Sequence, residues 1–206
     1  MRWYREQVLP RVIDVFCGMA EGDPCRARVC AGLTGDVVEI GFGSGLNVPF
    51  YPLGVRSVAA VEPSDVAWRL AEKRVVDSRV PIRRVGLDGE SLPMPDASAD
   101  AVLSTWTMCT IPDLDAALAE CRRVLRPGGT VHFLEHGLAP DEPVRRWQHR
   151  LDPLQQRFFG GCHLTRTIPD SLVSAGFAVI ELETFYLDGA PRWIAADSLG
   201  VAVSAP

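Results

Sequence analysis

Long apolar runs are missing from this chain. Nowhere do its 206 residues approach the roughly 18 to 20 consecutive apolar residues that a membrane-spanning helix needs. The start of the chain also lacks the charged-then-apolar pattern and the small-residue cleavage site of a signal peptide. We therefore expect no transmembrane segment and a cytoplasmic location.

Positive charge is also scarce. The chain has 21 lysines and arginines against 26 acidic residues, a net charge of -5, and Lys73 is its single lysine. Nucleic-acid-binding domains normally carry a basic patch or stripe. The charge balance therefore disfavours nucleic acid as a substrate or partner.

Closely spaced cysteine pairs, which structural zinc sites usually contain, are absent as well. The 6 cysteines are scattered without a C-x-x-C motif at positions 17, 25, 30, 109, 121 and 162. We expect no metal site, and free thiols in a reducing compartment. Cys109 and Cys121 are expected in the core, because free cysteine behaves as a small apolar residue.

What the chain does contain is the alternation of an α/β protein. Apolar strand candidates and amphipathic helix candidates alternate between residues 36 and 136, which favours right-handed crossovers and a parallel sheet. The length suits one domain over 1–206. Within it we predict an N-terminal helical cap over 1–30, with a boundary at Pro10 and an irregular linker over 21–28, covering the ligand cleft.

A glycine-rich turn is the strongest local signal. An apolar strand runs into Gly41, Gly43 and Gly45, and Glu62 closes the next strand candidate. Glycines allow a sharp turn and a close approach to a ligand at the carboxyl edge of a sheet. A carboxylate such as Glu62 can accept both hydroxyls of a ribose, so the pattern indicates a nucleotide site.

The glycine spacing narrows the choice of nucleotide. A dinucleotide fingerprint, G-x-G-x-x-G, needs glycine where this chain has Leu46, which argues against a nicotinamide-dependent reductase. The observed G-x-G-x-G resembles the first motif of class I S-adenosylmethionine-dependent methyltransferases, whose cofactor has no phosphate. For the motif alone, an ordinary glycine turn is the alternative interpretation.

Three further segments resemble this family in the expected order. Residues 86–94 resemble its adenine-side segment, 100–106 its fourth strand, and 117–129 the stretch before its fifth strand. In that last stretch we expect a helix that Pro-Gly-Gly, at 127–129, ends. The resemblance implies an α/β, Rossmann-like, seven-stranded and mostly parallel sheet with helices on both faces and a C-terminal antiparallel hairpin. It also implies S-adenosyl-L-methionine as cofactor, S-adenosyl-L-homocysteine as product and a small-molecule acceptor.

The same resemblance implies the residues that bind the cofactor. They are Glu39, Gly41, Gly43, Gly45, Asn47, Glu62, Pro63, Asp88, Gly89, Glu90, Ser104, Thr105 and Trp106. Asp88 is the expected contact of the adenine amine, and Glu62 that of the ribose. Trp106 is placed to offer its ring face to the sulfonium. Packing in the core is the alternative for Trp106, and a solvated strand end is the alternative for Glu62.

The segment after the fifth strand points to an acceptor. Residues 133–136, 147–148, 151–153 and 161–166 resemble the methyltransferase-like thiol S-methyltransferases of animals, and the likeness covers 36–185. It implies an alkyl thiol acceptor, with residues 137–170 forming the acceptor side. Those proteins begin with a hydrophobic anchor that the start of this chain does not match. Phenols, quinols and lipid amines are the alternative acceptors, and a non-catalytic cofactor-binding module is the minority alternative.

Two histidines are the catalytic candidates. His136 directly follows the fifth strand, and His163 lies in the predicted acceptor wall. A thiol has a pKa near 8.5, so a neighbouring base would supply the thiolate. The alternative for each histidine is a structural residue, with Arg166 bonding backbone carbonyls or a carboxylate such as Glu135. Cys162 is not expected to be a nucleophile, because methyl transfer from a sulfonium needs no covalent enzyme intermediate.

A basic and aromatic cluster occupies the helix candidate over 142–159, which we expect to be interrupted at Pro153. It combines Arg145, Arg146, Trp147 and Arg150 with phenylalanines at 158 and 159. Such residues anchor helices at lipid surfaces, so peripheral membrane contact is one interpretation. A lid helix over the site is the favoured one, given the acidic net charge. The sequence does not indicate an oligomeric state.

Overall fold

We describe the protein from a computed structural model that covers residues 3–86 and 89–204. Its centre is a sheet of seven strands. They are β1 (Gly35–Ile40), β2 (Val55–Val61), β3 (Ile82–Gly86), β4 (Ala99–Thr105), β5 (Leu125–His136), β6 (Phe177–Tyr186) and β7 (Ala196–Ser204). Their spatial order is β3-β2-β1-β4-β5-β7-β6.

The direction of the strands confirms the predicted fold. Strands β1 to β5 pair in parallel, whereas β7 is antiparallel to both β5 and β6. The sheet is therefore mostly parallel and ends in an antiparallel hairpin. The carboxyl ends of the five parallel strands meet at one edge, which is where ligands bind in open α/β sheets.

In the described residues, six α-helices surround the sheet. They are α1 (Leu9–Cys17), α2 (Asp23–Cys30), α3 (Asp65–Val76), α4 (Leu114–Val124), α5 (Glu142–Phe158) and α6 (Ile168–Ser174), and a π-helical turn, Tyr4–Val8, precedes α1. Among the helices of the described residues, none combines the length and the apolar character that a membrane crossing requires.

The two faces of the sheet bury separate apolar clusters. Neighbouring residues of a strand point to opposite faces, and in β1 Val38 packs with α4 and α6, whereas Val37 packs with α2 and α3. Helices thus cover both faces, as the sequence predicted. The two clusters fix the strand ends that carry the candidate site.

Three local predictions need correction. The predicted linker over 21–28 contains α2, which tolerates Pro24 because its first turn needs no N–H from that residue. The Pro-Gly-Gly run at 127–129 does not end a helix, since α4 stops at Val124 and the run lies within β5, where the register with β4 shifts. Pro153 does not interrupt α5, which continues through it. Pro10, where a boundary was predicted, lies in the first turn of α1, which begins at Leu9 directly after the π-helical turn ends at Val8.

Candidate active site

The glycine turn follows β1, and its three glycines have left-handed backbones, with φ of 71° at Gly41, 59° at Gly43 and 76° at Gly45. At two of these positions, packing within the protein explains why glycine is required. A Cβ at Gly41 would overlap the side chain of Thr107, whose hydroxyl donates to the Gly41 carbonyl. A Cβ at Gly45 would approach the Phe42 ring to 3.2 Å.

Gly43 has a different environment. The nearest atom to a Cβ added there is the Gly41 carbonyl oxygen, at 3.8 Å, so this part of the turn is open. A left-handed backbone combined with an open face is what a close ligand contact requires. Of the three glycines, Gly43 therefore fits the predicted cofactor contact best.

Glu62 joins the end of β2 to the glycine turn. One of its carboxylate oxygens accepts the N–H of Gly43 at 2.7 Å, and the other accepts the N–H of Ser64 at 2.6 Å. Burial raises the pKa of this carboxyl, and the two backbone donors partly offset the effect. Glu62 is only 5% exposed. It is thus a buried carboxylate that shapes the turn, which rules out a solvated strand end.

A buried polar network lies beneath the turn. The Asn47 side-chain amide donates to Glu39 at 2.9 Å and to the Thr105 hydroxyl at 3.0 Å, and its oxygen accepts from Arg26 at 2.8 Å. Tyr51 donates to the second oxygen of Glu39. Burial raises the pKa of Glu39 to about 7, although these donors act against the rise. Cofactor contact by Glu39, Asn47 and Thr105 stays a prediction, and what the structure shows is that they bond to one another.

Trp106 follows β4 with a left-handed backbone, φ 50°, which is unusual for a residue other than glycine. Its indole N–H donates to Asp197 at 3.1 Å, and the guanidinium of Arg26 lies 4.7 Å from the ring centroid. Arg26 therefore already occupies a cation–π position on the ring that was predicted to meet the sulfonium.

The carboxylate of Glu135, in β5, organises the loop after β4. It accepts from the Ser104 hydroxyl at 2.6 Å, from the Thr107 N–H at 3.1 Å and from the Cys109 N–H at 3.3 Å. Burial raises the pKa of Glu135, although these hydrogen bonds act to lower it. Ser104, predicted to touch the cofactor, bonds to Glu135 here, and its cofactor contact stays a prediction.

His136 forms the centre of a cluster at the carboxyl edge of β5. Its Nε2 lies 3.7 Å from an oxygen of Asp197, the residue opposite it in the pairing of β5 with β7. Its Nδ1 lies 3.9 Å from the sulfur of Cys162, which is 3.6 Å from the sulfur of Cys109. The side chain of His136 is 21% exposed, whereas that of Asp197 is fully buried.

The cluster shifts the pKa values of its members. Burial alone would lower the pKa of His136, but the charge of Asp197 and the contact with Cys162 raise it to about 9. The hydrogen bond between the two sulfurs, assisted by His136, lowers the pKa of Cys162, while that bond and burial raise the pKa of Cys109. These shifts favour a negative charge on the Cys162 sulfur, which lies 3.9 Å from Nδ1 of His136.

His163 lies beside this cluster and is half-buried. Its backbone N–H donates to the Cys109 carbonyl at 2.9 Å. Arg166 was predicted to bond backbone carbonyls or a carboxylate. In the structure it donates to the backbone carbonyl of Met108 at 2.6 Å. The acceptor-side segment is thereby fixed against the loop after β4.

The predicted adenine side is only partly described, because Asp88 lies outside the described residues. Gly89 lies against Ile40, whose side chain a Cβ would approach to 3.1 Å. Glu90 accepts from the N–H of Asp113, the residue that caps α4, and Pro63 is exposed. The cofactor contacts predicted for these residues are not tested by this arrangement.

Sequence reasoning missed Arg26, Thr107 and Asp197. Arg26 lies in the segment predicted to be irregular, and Asp197 is the second residue of β7, whose pairing with β5 places it opposite His136. The position of Thr107 directly after the fourth strand was the one usable signal, because residues at that edge commonly face ligands.

A comparison with family models matches residues 38–133 to the model described as a methyltransferase domain. Human thiol S-methyltransferase TMT1A is 32% identical over 186 residues, which are 87% of this chain and 72% of that protein. The chain spans 62 to 66% of the TMT1B thiol S-methyltransferases of rat, human and mouse. Phosphatidylethanolamine N-methyltransferase of Cereibacter sphaeroides is 29% identical, over 61% of this chain and 63% of that protein.

Solved structures agree with the architecture. A methyltransferase of Thermotoga maritima, described as S-adenosylmethionine-dependent and as a possible histamine N-methyltransferase, superposes with a TM-score of 0.68 at 23% identity. The match covers 98% of each chain. At that identity the likeness supports the fold alone.

Proposed function

The chain belongs to the class I S-adenosylmethionine-dependent methyltransferases, and we propose that it methylates the sulfur of a small alkyl thiol. Its family and its fold imply S-adenosylmethionine as the cofactor. The choice of a thiol as the methyl acceptor is the more specific part of the proposal. It is supported by the names of the relatives and by the cluster around His136.

The cofactor site that we propose centres on Gly43 and Glu62. The turn is open at Gly43, and each oxygen of the Glu62 carboxylate uses one acceptor site on a backbone N–H. A carboxylate has about four lone-pair sites, so capacity remains for the two ribose hydroxyls. When bound, S-adenosylmethionine supplies a methyl group on a sulfonium that is already activated for displacement.

The observation that carries the acceptor proposal is the position of His136. Its partly exposed ring lies 6.1 Å from the Trp106 ring and is backed by the buried Asp197. An imidazole oriented by a carboxylate can take up or hold a proton beside a nucleophile. We propose that an acceptor thiol enters next to this ring, where His136 positions its sulfur and His163 contributes to the acceptor wall.

The proposed domain division has support from contacts. From the cap, 1–30, Arg26 reaches Asn47 and Trp106. From the acceptor side, 137–170, His163 and Arg166 reach the loop after β4. Both segments therefore contact residues around the proposed site, and we propose that substrate access depends on them.

A lipid amine is the second candidate acceptor. It is supported by the likeness to the phosphatidylethanolamine N-methyltransferase and by the exposed aromatic side chains of α5, among them Trp147 at 55% exposure. A lipid headgroup would reach the site from a membrane surface along this helix.

The test is mass spectrometry of the products after incubation of the purified protein with S-adenosylmethionine and a small alkyl thiol. We expect a methyl thioether to form in step with S-adenosylhomocysteine. If the cofactor binds in the same sample but no thioether forms, the thiol proposal is wrong. Parallel reactions with a phenol, a quinol and phosphatidylethanolamine vesicles then identify the alternative.

A further inference from the structure

Three ligand-type side chains converge in the cluster around His136. The sulfurs of Cys109 and Cys162 and one ring nitrogen of His136 all lie within 4.8 Å of one another. They come from the loop after β4, the end of β5 and the loop after α5. We propose that these three residues bind one zinc ion.

The distances suit a tetrahedral ion. Around zinc with bonds of about 2.3 Å to sulfur and about 2.0 Å to nitrogen, neighbouring ligand atoms lie about 3.5 to 3.8 Å apart. The two sulfurs are 3.6 Å apart, and Nδ1 is 3.9 Å from the sulfur of Cys162. Small side-chain rotations would complete the coordination of the three atoms.

The second nitrogen of the histidine also has the partner that metal-bound histidines usually have. Metal-ligating imidazoles commonly donate their other N–H to a carboxylate, which fixes the ring orientation. Here Nε2 faces Asp197 at 3.7 Å, and Trp106 holds the same carboxylate oxygen. The other oxygen of Asp197 is buried without a hydrogen-bond partner among the described residues, so a nearby cation would stabilise it.

The two cysteines are held in place by their backbones. The Cys109 N–H donates to Glu135, its carbonyl accepts from His163, and the Cys162 N–H donates to the Phe159 carbonyl at 3.1 Å. Both sulfurs are buried. A site built on backbone contacts from three elements is preorganised, because an ion would require little reordering of the chain.

The chemistry of the ligands favours zinc over magnesium and calcium. Thiolate and imidazole are suitable ligands for zinc, whereas magnesium and calcium prefer oxygen. Two thiolates would balance the charge of the ion in this buried setting. Three protein ligands leave a fourth position for an exchangeable group, and an acceptor thiol in that position would bind as thiolate. This last step rests on the proposed function, but the site itself does not.

Metal content tests the site. The whole chain, purified under reducing conditions without chelator, should contain about one zinc per chain by inductively coupled plasma mass spectrometry. Cys109→Ser and Cys162→Ser should each lower the zinc content at least tenfold. Cys121→Ser, a buried cysteine of α4 in the core, is the matched control and should keep the ion. Circular dichroism checks that each variant is folded.

Cobalt gives a measurement on the wild-type chain alone. Titrating the metal-free protein with Co²⁺ should produce a thiolate-to-cobalt absorption band that saturates at one equivalent. No band with the wild type overturns the proposal, as does a band that both serine variants retain. Neither measurement uses cofactor or acceptor, so a zinc-binding chain that makes no thioether would keep the site and reject only the thiol.

Discussion

Glu62 combines two tasks at a single residue. Its carboxylate orders the glycine turn through Gly43 and is proposed to bind the ribose. We expect Glu62→Ala to weaken S-adenosylhomocysteine binding at least tenfold, because a charge-assisted hydrogen bond contributes about 1.5 to 3 kcal/mol. Isothermal titration calorimetry measures this affinity.

The control for Glu62 is Asp65→Ala, which removes a nearby carboxylate that pairs with Arg84 and is 76% exposed. It should bind S-adenosylhomocysteine as the wild type does. Wild-type affinity in Glu62→Ala would show that this carboxylate has no part in cofactor binding.

His163 is the residue by which the acceptor wall can be tested. We expect His163→Ala to lower turnover of the acceptor about tenfold or more while the affinity for S-adenosylhomocysteine changes little, because its backbone already holds Cys109 without the imidazole. Steady-state kinetics and calorimetry separate the two effects. His149→Ala, at an exposed position of α5, is the control, and equal turnover in the two variants would reject the role of His163.

The glycine turn can be tested as an element by comparing substitutions at two of its glycines. Gly41→Ala should lower the melting temperature, because its Cβ would overlap Thr107. Gly43→Ala has room for its Cβ and should cost only about 1 kcal/mol of backbone strain, yet it should bind the cofactor poorly. Thermal melting and calorimetry on both variants give the comparison. If Gly43→Ala binds normally, the open face of the turn is not the cofactor site.

Helix α4 restrains the end of the predicted adenine-side segment. Glu120 accepts the Leu92 N–H, and Arg123 donates to the carbonyls of Leu92 and Met94. The hydrogen bond from Arg123 lowers the pKa of Glu120 from 4.5 to about 2. Because the folded pKa is the lower one, this stabilisation is present above about pH 4.5 and is lost as the pH falls toward 2.

The corresponding measurement is urea unfolding between pH 5 and pH 3. In this range the wild type should lose stability more steeply than Glu120→Gln, which has no proton to gain at this position. Asp96→Asn removes a more exposed partner of Arg123 and should follow the wild type more closely. Identical slopes for the wild type and Glu120→Gln would mean that this interaction does not stabilise the fold.

At the scale of the whole molecule, α5 presents an apolar surface to solvent. Trp147, Leu154 and Phe158 are exposed on one face of the helix, with Arg150 and Arg157 over the rings of Trp147 and Phe158. Aromatic and basic residues in this arrangement suit an anionic lipid surface. The same face would equally suit a lid helix that opens and closes.

Co-sedimentation with vesicles separates these two uses. Peripheral contact predicts that the protein pellets with anionic vesicles and that Trp147→Ser with Phe158→Ser reduces pelleting about tenfold or more, since each buried aromatic ring contributes about 1.5 to 3 kcal/mol. Leu182→Ser, an exposed leucine of β6, is the control. If the protein stays in the supernatant, peripheral membrane contact is rejected and the lid interpretation is the one that remains.

The sequence by itself determined the fold class, the order of the parallel strands along the chain and the glycine turn with Glu62. These features follow from patterns within short segments, because hydrophobic periodicity and glycine spacing are local properties. It could not place the ends of elements that depend on their surroundings. The Pro-Gly-Gly run entered β5 because pairing with β4 continues past a shift in register.

Only the tertiary structure decided which distant side chains meet. His136 faces Asp197 because of the register between β5 and β7, and Cys109 meets Cys162 across 53 positions of the chain. Scattered cysteines predicted no metal site, yet folding brings two of them to one histidine. Such contacts depend on how the elements pack against one another, and this packing cannot be inferred from the spacing of residues along the chain.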